Sequence, residues 1–290
     1  MKIYDPKTEC YLCKSGKFDV IHFGTRGGNA NVLKCKNCGL VRLDNFITDK
    51  ENFYENSCMW HSNGMDSDIR QARIEALDDD GRRAEFVRNY VKNKSCLDFG
   101  CGCGGFLHRI KPIARSVAGV ELETEKREYI EQEGIQCFDN VESLHNETYD
   151  VITLFHVLEH LPDPIQILEK LKTHLNGDGL IIIEVPNADD ALLSLYKSDD
   201  FASFTYWICH LFLYTNRTLG DLAKKAGLKL SILQQIQRYP LSNHLYWLSK
   251  KKPGGHKEWA AFNDRMLDKL YGERLAALGI ADTIVAVLTR

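Results

Sequence analysis

A strand that runs straight into a glycine turn constrains this chain more than any other feature. Ser95-Cys96-Leu97-Asp98-Phe99 reads as a strand, and Gly100-Cys101-Gly102-Cys103-Gly104-Gly105 follows it at once. Glycines at such a junction let the backbone approach a ligand closely, where side chains would block it. The pattern beyond keeps alternating. A helix is expected from Phe106 until Pro112 disturbs it, a second strand over Val117 to Glu121, and a charged helix over Thr124 to Glu133, stopped by Gly134. Strands follow at Ile135 to Phe138, Asp150 to Phe155 and Leu180 to Val185. An amphipathic helix from Pro164 to Leu175, ending at Asn176-Gly177, joins the last two. Leu219 to Ala226 is a further helix closed by Gly227, a strand starts at Leu228, and Thr283 to Leu288 is the last strand. Such alternation predicts an α/β, doubly wound, mostly parallel sheet with helices on both faces.

The N-terminus follows another logic. Cys10-Tyr11-Leu12-Cys13 and Cys35-Lys36-Asn37-Cys38-Gly39 give C-x2-C-x21-C-x2-C. Each turn can aim two thiolates at one metal, and two turns complete a tetrahedron. The segment between them is too polar and glycine-rich to build a core, so the metal would supply its folding energy. Four sulfur ligands leave no open position, which makes Cys10, Cys13, Cys35 and Cys38 ligands of a structural zinc.

Between these regions, residues 44 to 80 are polar. Ile69, Ile74, Leu77, Phe86 and Val87 recur at helical spacing, predicting a helix within Asp66 to Tyr90 that Asp78-Asp79-Asp80-Gly81 interrupts. Composition is ordinary for a globular chain, with 44% hydrophobic and 27% charged residues. The start lacks a signal-peptide pattern, and the most apolar stretch, Phe201 to Tyr214, is too short to span a bilayer. A cytoplasmic, membrane-free protein is the expectation, and ten cysteines then argue against a disulfide framework. A net charge of −3 gives no pull toward nucleic acid. The basic run Lys250, Lys251, Lys252 and Lys257 flanks Pro253-Gly254-Gly255 and reads as a solvated loop, or else as a site for a substrate phosphate.

Gly100, Gly102 and Gly105 satisfy G-x-G-x-x-G, and Glu121 at the end of the second strand can accept ribose hydroxyls. Both features serve nicotinamide cofactors and methyl donors alike. Asp98 separates the two readings: a carboxylate repels a pyrophosphate but attracts the sulfonium and ammonium of S-adenosylmethionine. With His156-Val157-Leu158-Glu159-His160 after the fourth strand, the arrangement resembles the class I S-adenosylmethionine-dependent methyltransferases over about residues 80 to 290. That resemblance implies a seven-stranded sheet with an antiparallel last strand. It implies that Asp98, Gly100, Gly102 and Gly104 hold the methionine portion of the donor and that Glu121 binds its ribose. Asp139 or neighbouring Asn140 would meet the adenine amino group, and Phe155 and His156 would line the methyl group. In some quinone O-methyltransferases the equivalent of the Glu159-His160 pair is associated with a divalent metal; a loop held by hydrogen bonds is the preferred reading of the pair here. Cys101 and Cys103 depart from the motif but are small enough to pack there.

Residues 187 to 218 carry Phe201, Phe204, Tyr206, Trp207, Phe212 and Tyr214. They form a candidate acceptor lid or, alternatively, ordinary core. His210 in this segment is the preferred general base, with Tyr206 as helper and His156 as a further candidate. The expected organisation is a zinc module at 1–45, a linker with helices at 46–94, and the donor-binding domain at 95–290 with insertions at 187–218 and 239–282. A four-cysteine module ahead of such a core also resembles sugar C-methyltransferases acting on nucleotide-linked keto-sugars. Their C-terminal domain has no counterpart after the seventh strand of this sequence, so O-methylation stays open beside C-methylation. The expected substrate is a small molecule, possibly a nucleotide sugar by that likeness. An RNA methyltransferase that grips with the zinc module, or a non-catalytic donor-binding relative, are the alternatives. Against the first, Cys10 to Cys38 holds only Lys14, Lys17, Arg26, Lys34 and Lys36 as basic residues and no aromatic-basic stripe.

Overall fold

The computed structural model describes residues 7–45 and 69–290. The polar stretch expected as linker falls largely at 46–68, and the first residues of the helix expected from Asp66 fall there too, outside the described residues. Two sheets organise the rest. β1 (Phe18–His22), β2 (Val32–Cys35) and β3 (Val41–Leu43) form a small antiparallel sheet between and beside the cysteine turns. In each turn a backbone amide reaches back to the first cysteine, Lys14 N to Cys10 O and Gly39 N to Cys35 O, both at 2.9 Å. Gly39 does so at φ +84°, a conformation that favours glycine.

The main sheet contains β4 (Ser95–Phe99), β5 (Ser116–Val120), β6 (Gln136–Phe138), β7 (Tyr149–Phe155), β8 (Leu175–Pro186), β10 (Lys229–Ile236) and β11 (Thr283–Thr289). Their order is β10-β11-β8-β7-β4-β5-β6; β4 to β8 run parallel, and β11 is antiparallel to both neighbours. This is the seven-stranded Rossmann-like methyltransferase fold. All five residues of central β4 are buried, as a parallel strand covered on both faces requires.

Helices α1 (Ile69–Glu75), α2 (Leu77–Val91), α3 (Gly105–Ile110), α4 (Thr124–Gln132) and α5 (Pro164–Thr173) cover the parallel half. Asp163 caps α5, accepting from Gln166 N at 3.2 Å with Pro164 in the first turn. Asp78, Asp79 and Asp80 do not interrupt the helix as expected. They fill the first turn of α2, where the helix dipole favours acids, and the break falls just before them at Ala76. Asn176-Gly177 likewise is not a helix end. α5 stops at Thr173, and both residues lie in the first part of a longer β8, where Asn176 Nδ2 donates to Asp150 Oδ1 at 2.9 Å.

The two insertions take different forms. After β8 come α6 (Ala191–Ser194), α7 (Asp199–Thr205) and β9 (Phe212–Leu213), then α8 (Asn216–Lys225). β9 pairs with β3, so the insertion completes the sheet of the cysteine module, and Leu12, Leu40, Leu43, Phe212 and Leu158 share one apolar cluster. Residues 239–282 fold as α9 (Leu241–Lys250), α10 (Gly255–Glu258) and α11 (Arg265–Leu278), leading into β11. Lys250, Lys251 and Lys252 are exposed at the end of α9, and Lys251 pairs with Asp200 at 3.5 Å. Among the described residues no helix is long and apolar enough to cross a membrane.

Candidate active site

The glycine turn lies at the carboxyl end of β4, the side on which open α/β sheets bind ligands. Gly100 (φ +77°) and Gly102 (φ +54°) take left-handed conformations. A Cβ at Gly100 would sit 2.5 Å from Val157 Cγ2, whereas one at Gly102 would meet nothing within 4 Å, so the turn is packed on one side and open on the other. Gly104, also left-handed, caps α3. Asp98 is buried beneath the turn; its Oδ1 accepts from Thr153 Oγ1 at 2.6 Å, and burial pushes its carboxyl up to about 7. Glu121 follows β5 and is buried, which raises its carboxyl despite amides from Gly102 (2.8 Å to Oε2) and Glu123 (3.1 Å to Oε1). Each oxygen keeps a further lone pair for a ribose hydroxyl. Asp139 and Asn140 sit just past β6 and both bind Ser143, Asp139 through Ser143 Oγ at 2.5 Å and Asn140 Oδ1 from Ser143 N at 3.0 Å. Cys101 is buried with its Sγ 3.8 Å from Cys137 Sγ, and a Cβ at Gly119 would lie 2.5 Å from Cys101 Sγ, so Cys101 fills space under the turn. An open turn with a buried acid below and a second acid alongside fits a cationic, ribose-bearing donor.

Phe155 and His156 end β7. The Phe155 ring stands edge-on to Phe106 at 4.9 Å with the Arg83 guanidinium 5.1 Å above it. His156 sits at φ +55°, strained for a residue with a side chain, and both ring nitrogens are engaged. Nδ1 donates to Glu159 Oε1 at 3.1 Å, while Nε2 lies 3.0 Å from Arg238 Nη1 and 3.3 Å from Glu184 Oε1. Sequence reasoning missed the rest of this network. Arg82 and Arg83 of α2 both donate to Glu184 at 2.8 to 3.0 Å, and Asp79 pairs with Arg82 and Arg238. Burial alone would raise Glu184, but His156 and the two guanidiniums hold it well below the carboxylate range. The charged run Asp78 to Arg83 was the available signal.

A second polar cluster adjoins His156. Glu159 is fully buried, and burial is outweighed by His156, His160 and His210, which bring its carboxyl down to about 2. His160 Nδ1 donates to Cys209 O at 2.7 Å, turning Nε2 toward Glu159, 3.9 Å away. The His210 ring lies 5.0 Å from that of His160 and 5.3 Å from Trp207, and burial pushes it down to about 3. Two atoms here are buried without a hydrogen-bond partner, His210 Nδ1 and Glu159 Oε2. Glu159, His160 and His210 offer ligand atoms within 4.8 Å of one another. Neutral imidazoles with a carboxylate suit a divalent cation, and the carbonyl-bound His160 has the support that metal-binding histidines use. Tyr206 stands apart: its ring packs against His22 at 5.2 Å, and burial raises its phenol to about 12. Phe212 and Tyr214 are fully buried core, while Phe201 and Phe204 pack on Trp247, both at 5.2 Å.

At the other end of the insertion the four N-terminal thiols converge. Cys10 and Cys38 Sγ are 3.5 Å apart, as are those of Cys13 and Cys35, and all four lie within 4.8 Å. A tetrahedral zinc with Zn–S near 2.3 Å needs sulfurs about 3.8 Å apart, so the set fits. Burial pushes the Cys10 thiol up to about 11 and raises Cys38 as well; a cation would reverse both.

Fold and turn together define a methyltransferase domain. A family model described as a methyltransferase domain matches residues 69–232, more than half of the chain, and the chain belongs to that family. Among curated proteins it is similar to a ubiquinone biosynthesis O-methyltransferase of Actinobacillus pleuropneumoniae, 29% identical over 142 residues, 44% of this chain and 59% of the relative. One of the same name from Hydrogenovibrio crunogenus is 25% identical over 179 residues, 55% of this chain and 73% of the relative. The chain thus spans about three fifths of the first of these. Among solved structures, a SAM-dependent methyltransferase from Archaeoglobus fulgidus aligns with a TM-score of 0.51 at 16% identity, over 83% of this chain and 100% of that one. The cyclopropane synthase MmaA2 from Mycobacterium tuberculosis aligns at 0.50 and 17% identity, over 78% and 87%. At these identities the structural likeness is one of fold.

Proposed function

We propose that this chain transfers a methyl group from S-adenosylmethionine to an oxygen of a small-molecule acceptor. The observation that carries the acceptor side is the buried, unpartnered Nδ1 of His210 beside the anionic Glu159, just beyond the carboxyl end of β7. Asp98 and the turn Gly100, Gly102 and Gly104 would hold the methionine portion, Glu121 the ribose, and Asp139 or Asn140 the adenine. The donor supplies an activated methyl group, so the chain's own work is alignment and proton removal. With its proton on the other ring nitrogen, neutral His210 presents Nδ1 as an acceptor for a hydroxyl proton. Burial holds its basicity low in the donor-free protein, and the Glu159 carboxylate is the group that offsets that burial and stabilises the imidazolium. His156 is a positioning residue in this scheme, because both its nitrogens are engaged. Tyr206, holding its proton to about 12, can donate a hydrogen bond but does not act as a base near neutrality. The relatives named for O-methylation in ubiquinone biosynthesis support oxygen as the receiving atom.

A second reading of the same cluster draws on its donor geometry: a divalent cation held by Glu159, His160 and His210 would lower the pKa of the acceptor hydroxyl. The structural zinc at the four cysteines is separate from both. Methyl-labelled donor with a panel of catechols and nucleotide-linked sugars tests the function. Labelling of a hydroxyl in either group is expected, the sugar arm deciding the likeness to sugar methyltransferases; no transfer to any acceptor contradicts it. His210→Ala is expected to lower kcat by about 10²-fold or more with donor affinity unchanged. Selective stripping of the histidine site by a chelator that leaves the cysteine zinc in place separates the readings, abolishing transfer only if the cation acts.

A further inference from the structure

We infer that the four-cysteine module is a structural wall of the acceptor site, clamping residues 206–213 so that metal binding at the cysteines sets where Trp207 and His210 stand. The assignment rests on the reading of those residues as the acceptor side. Residues 206–211 contain no helix or strand, and β9 has two residues. Their order comes from outside, and the module supplies it at both ends.

At one end β3 pairs with β9, Val41 with Leu213 and Arg42 with Phe212, and Leu43 N donates to Leu211 O at 3.1 Å. At the other, Arg26 grips the backbone on either side of Trp207: its amide donates to Tyr206 O at 2.8 Å and its carbonyl accepts from Ile208 N at 3.1 Å. The Arg26 guanidinium covers Phe204 at 4.6 Å and Trp207 at 4.9 Å. Gly28 closes the clamp, since a Cβ there would lie 2.8 Å from Ile208 Cγ1. Held between these ends are His210 and the Cys209 carbonyl that orients His160. Tyr11, inside the first cysteine turn, adds a third tie: its hydroxyl donates to the α5 cap Asp163 at 2.5 Å and accepts from Ile165 N at 3.1 Å.

The module's own strands have five, four and three residues, so its order depends on the two cysteine turns, whose convergence a metal would hold. Loss of the metal therefore releases the segment. The donor turn hangs on the main sheet instead, through Gly100 N and Cys101 N to Val120 O at 2.8 and 3.1 Å. It is expected to survive.

Hydrogen–deuterium exchange of the full chain, zinc-loaded and after zinc removal by a chelator, reads this directly. Removal is expected to speed exchange in residues 206–214 by about tenfold or more while residues 96–105 and S-adenosylhomocysteine affinity hold. Gly28→Val keeps all four cysteines; it is expected to retain stoichiometric zinc, yet to speed exchange at 206–210 and lower methyl transfer by about tenfold. Unchanged exchange at 206–214 on zinc removal overturns the inference. So does equal loss of protection at 96–105, a chain that takes up no zinc, or a Gly28→Val protein with zinc, exchange and transfer all as in the wild type. Failure of the zinc-loaded protein to bind S-adenosylhomocysteine contradicts the methyltransferase reading instead, and leaves the exchange result to judge the clamp.

Discussion

Asp98 holds a carboxyl where burial alone would forbid a charge, and the consequence is measurable. Its folded pKa is raised to about 7, so the buried acid is favoured in its protonated form. The sign follows: stability is lost as pH rises from the unfolded value near 4 through about 7. Asp98→Asn removes that loss. In the donor-free protein it is expected to raise the melting temperature relative to wild type at pH 8, by an amount equivalent to about 1 kcal/mol or more, with a smaller gain at pH 5. Donor binding is expected to weaken sharply in the same variant, because the attraction to the donor's positive charges is gone. A variant no more stable at pH 8 than wild type would show that Asp98 is not held against its charge. His156 illustrates the opposite economy, with strain at φ +55° tolerated because Glu159, Glu184 and Arg238 all fix its ring.

Among the elements, α2 is tied to the sheet by charge. Glu184 on β8 is buried and receives both Arg82 and Arg83, so removing its charge leaves Arg82 to Asp79 and Arg83 to the more distant Asp80, both within α2, and cuts the ionic tie to the sheet. Glu184→Gln is expected to destabilise the fold by about 2–3 kcal/mol in denaturant unfolding, discounted because Arg82 is partly exposed. A loss below measurement would place the docking of α2 in its apolar contacts alone. The strands β4, β5, β7 and β11 were legible in the sequence because apolar runs bounded by glycine or charge have few other solutions. The donor turn was legible for the same local reason. β9 was not: two residues carry no periodicity, and their partner β3 is some 170 residues earlier. Nor was the Arg82–Arg83–Glu184 network, whose members are about 100 residues apart. Asp78 to Asp80 misled because three acids in a row resemble a break, although a helix N-terminus is where they are best placed.

Across the whole molecule, buried groups of opposite habit bound the pH range. Asp98 and Asp190 are raised to about 7 and about 8, chiefly by burial, while burial lowers His210 and His244 to about 3 and about 4. The aspartates withdraw stability as pH rises toward 8. The histidines withdraw it as pH falls from about 6.5 toward their folded values. Between about pH 4 and 6.5 the two trends oppose each other. Melting temperature of the donor-free protein is therefore expected to be flat there and to fall on either side; a maximum at pH 8 or above would contradict these burials. The cysteine module belongs to the same whole, since it shares both a sheet and an apolar cluster with the methyltransferase domain.

The central claim is that the turn after β4 cradles the adenosyl and amino-acid portions of S-adenosylmethionine and not a dinucleotide. Calorimetric titration of the purified chain with S-adenosylhomocysteine and, separately, with NADH tests it most directly. Saturable binding of S-adenosylhomocysteine, weakened by Asp98→Ala and by Glu121→Ala, with no uptake of NADH, is the expected result. Binding of NADH in its place, or S-adenosylhomocysteine binding indifferent to both substitutions, would contradict it.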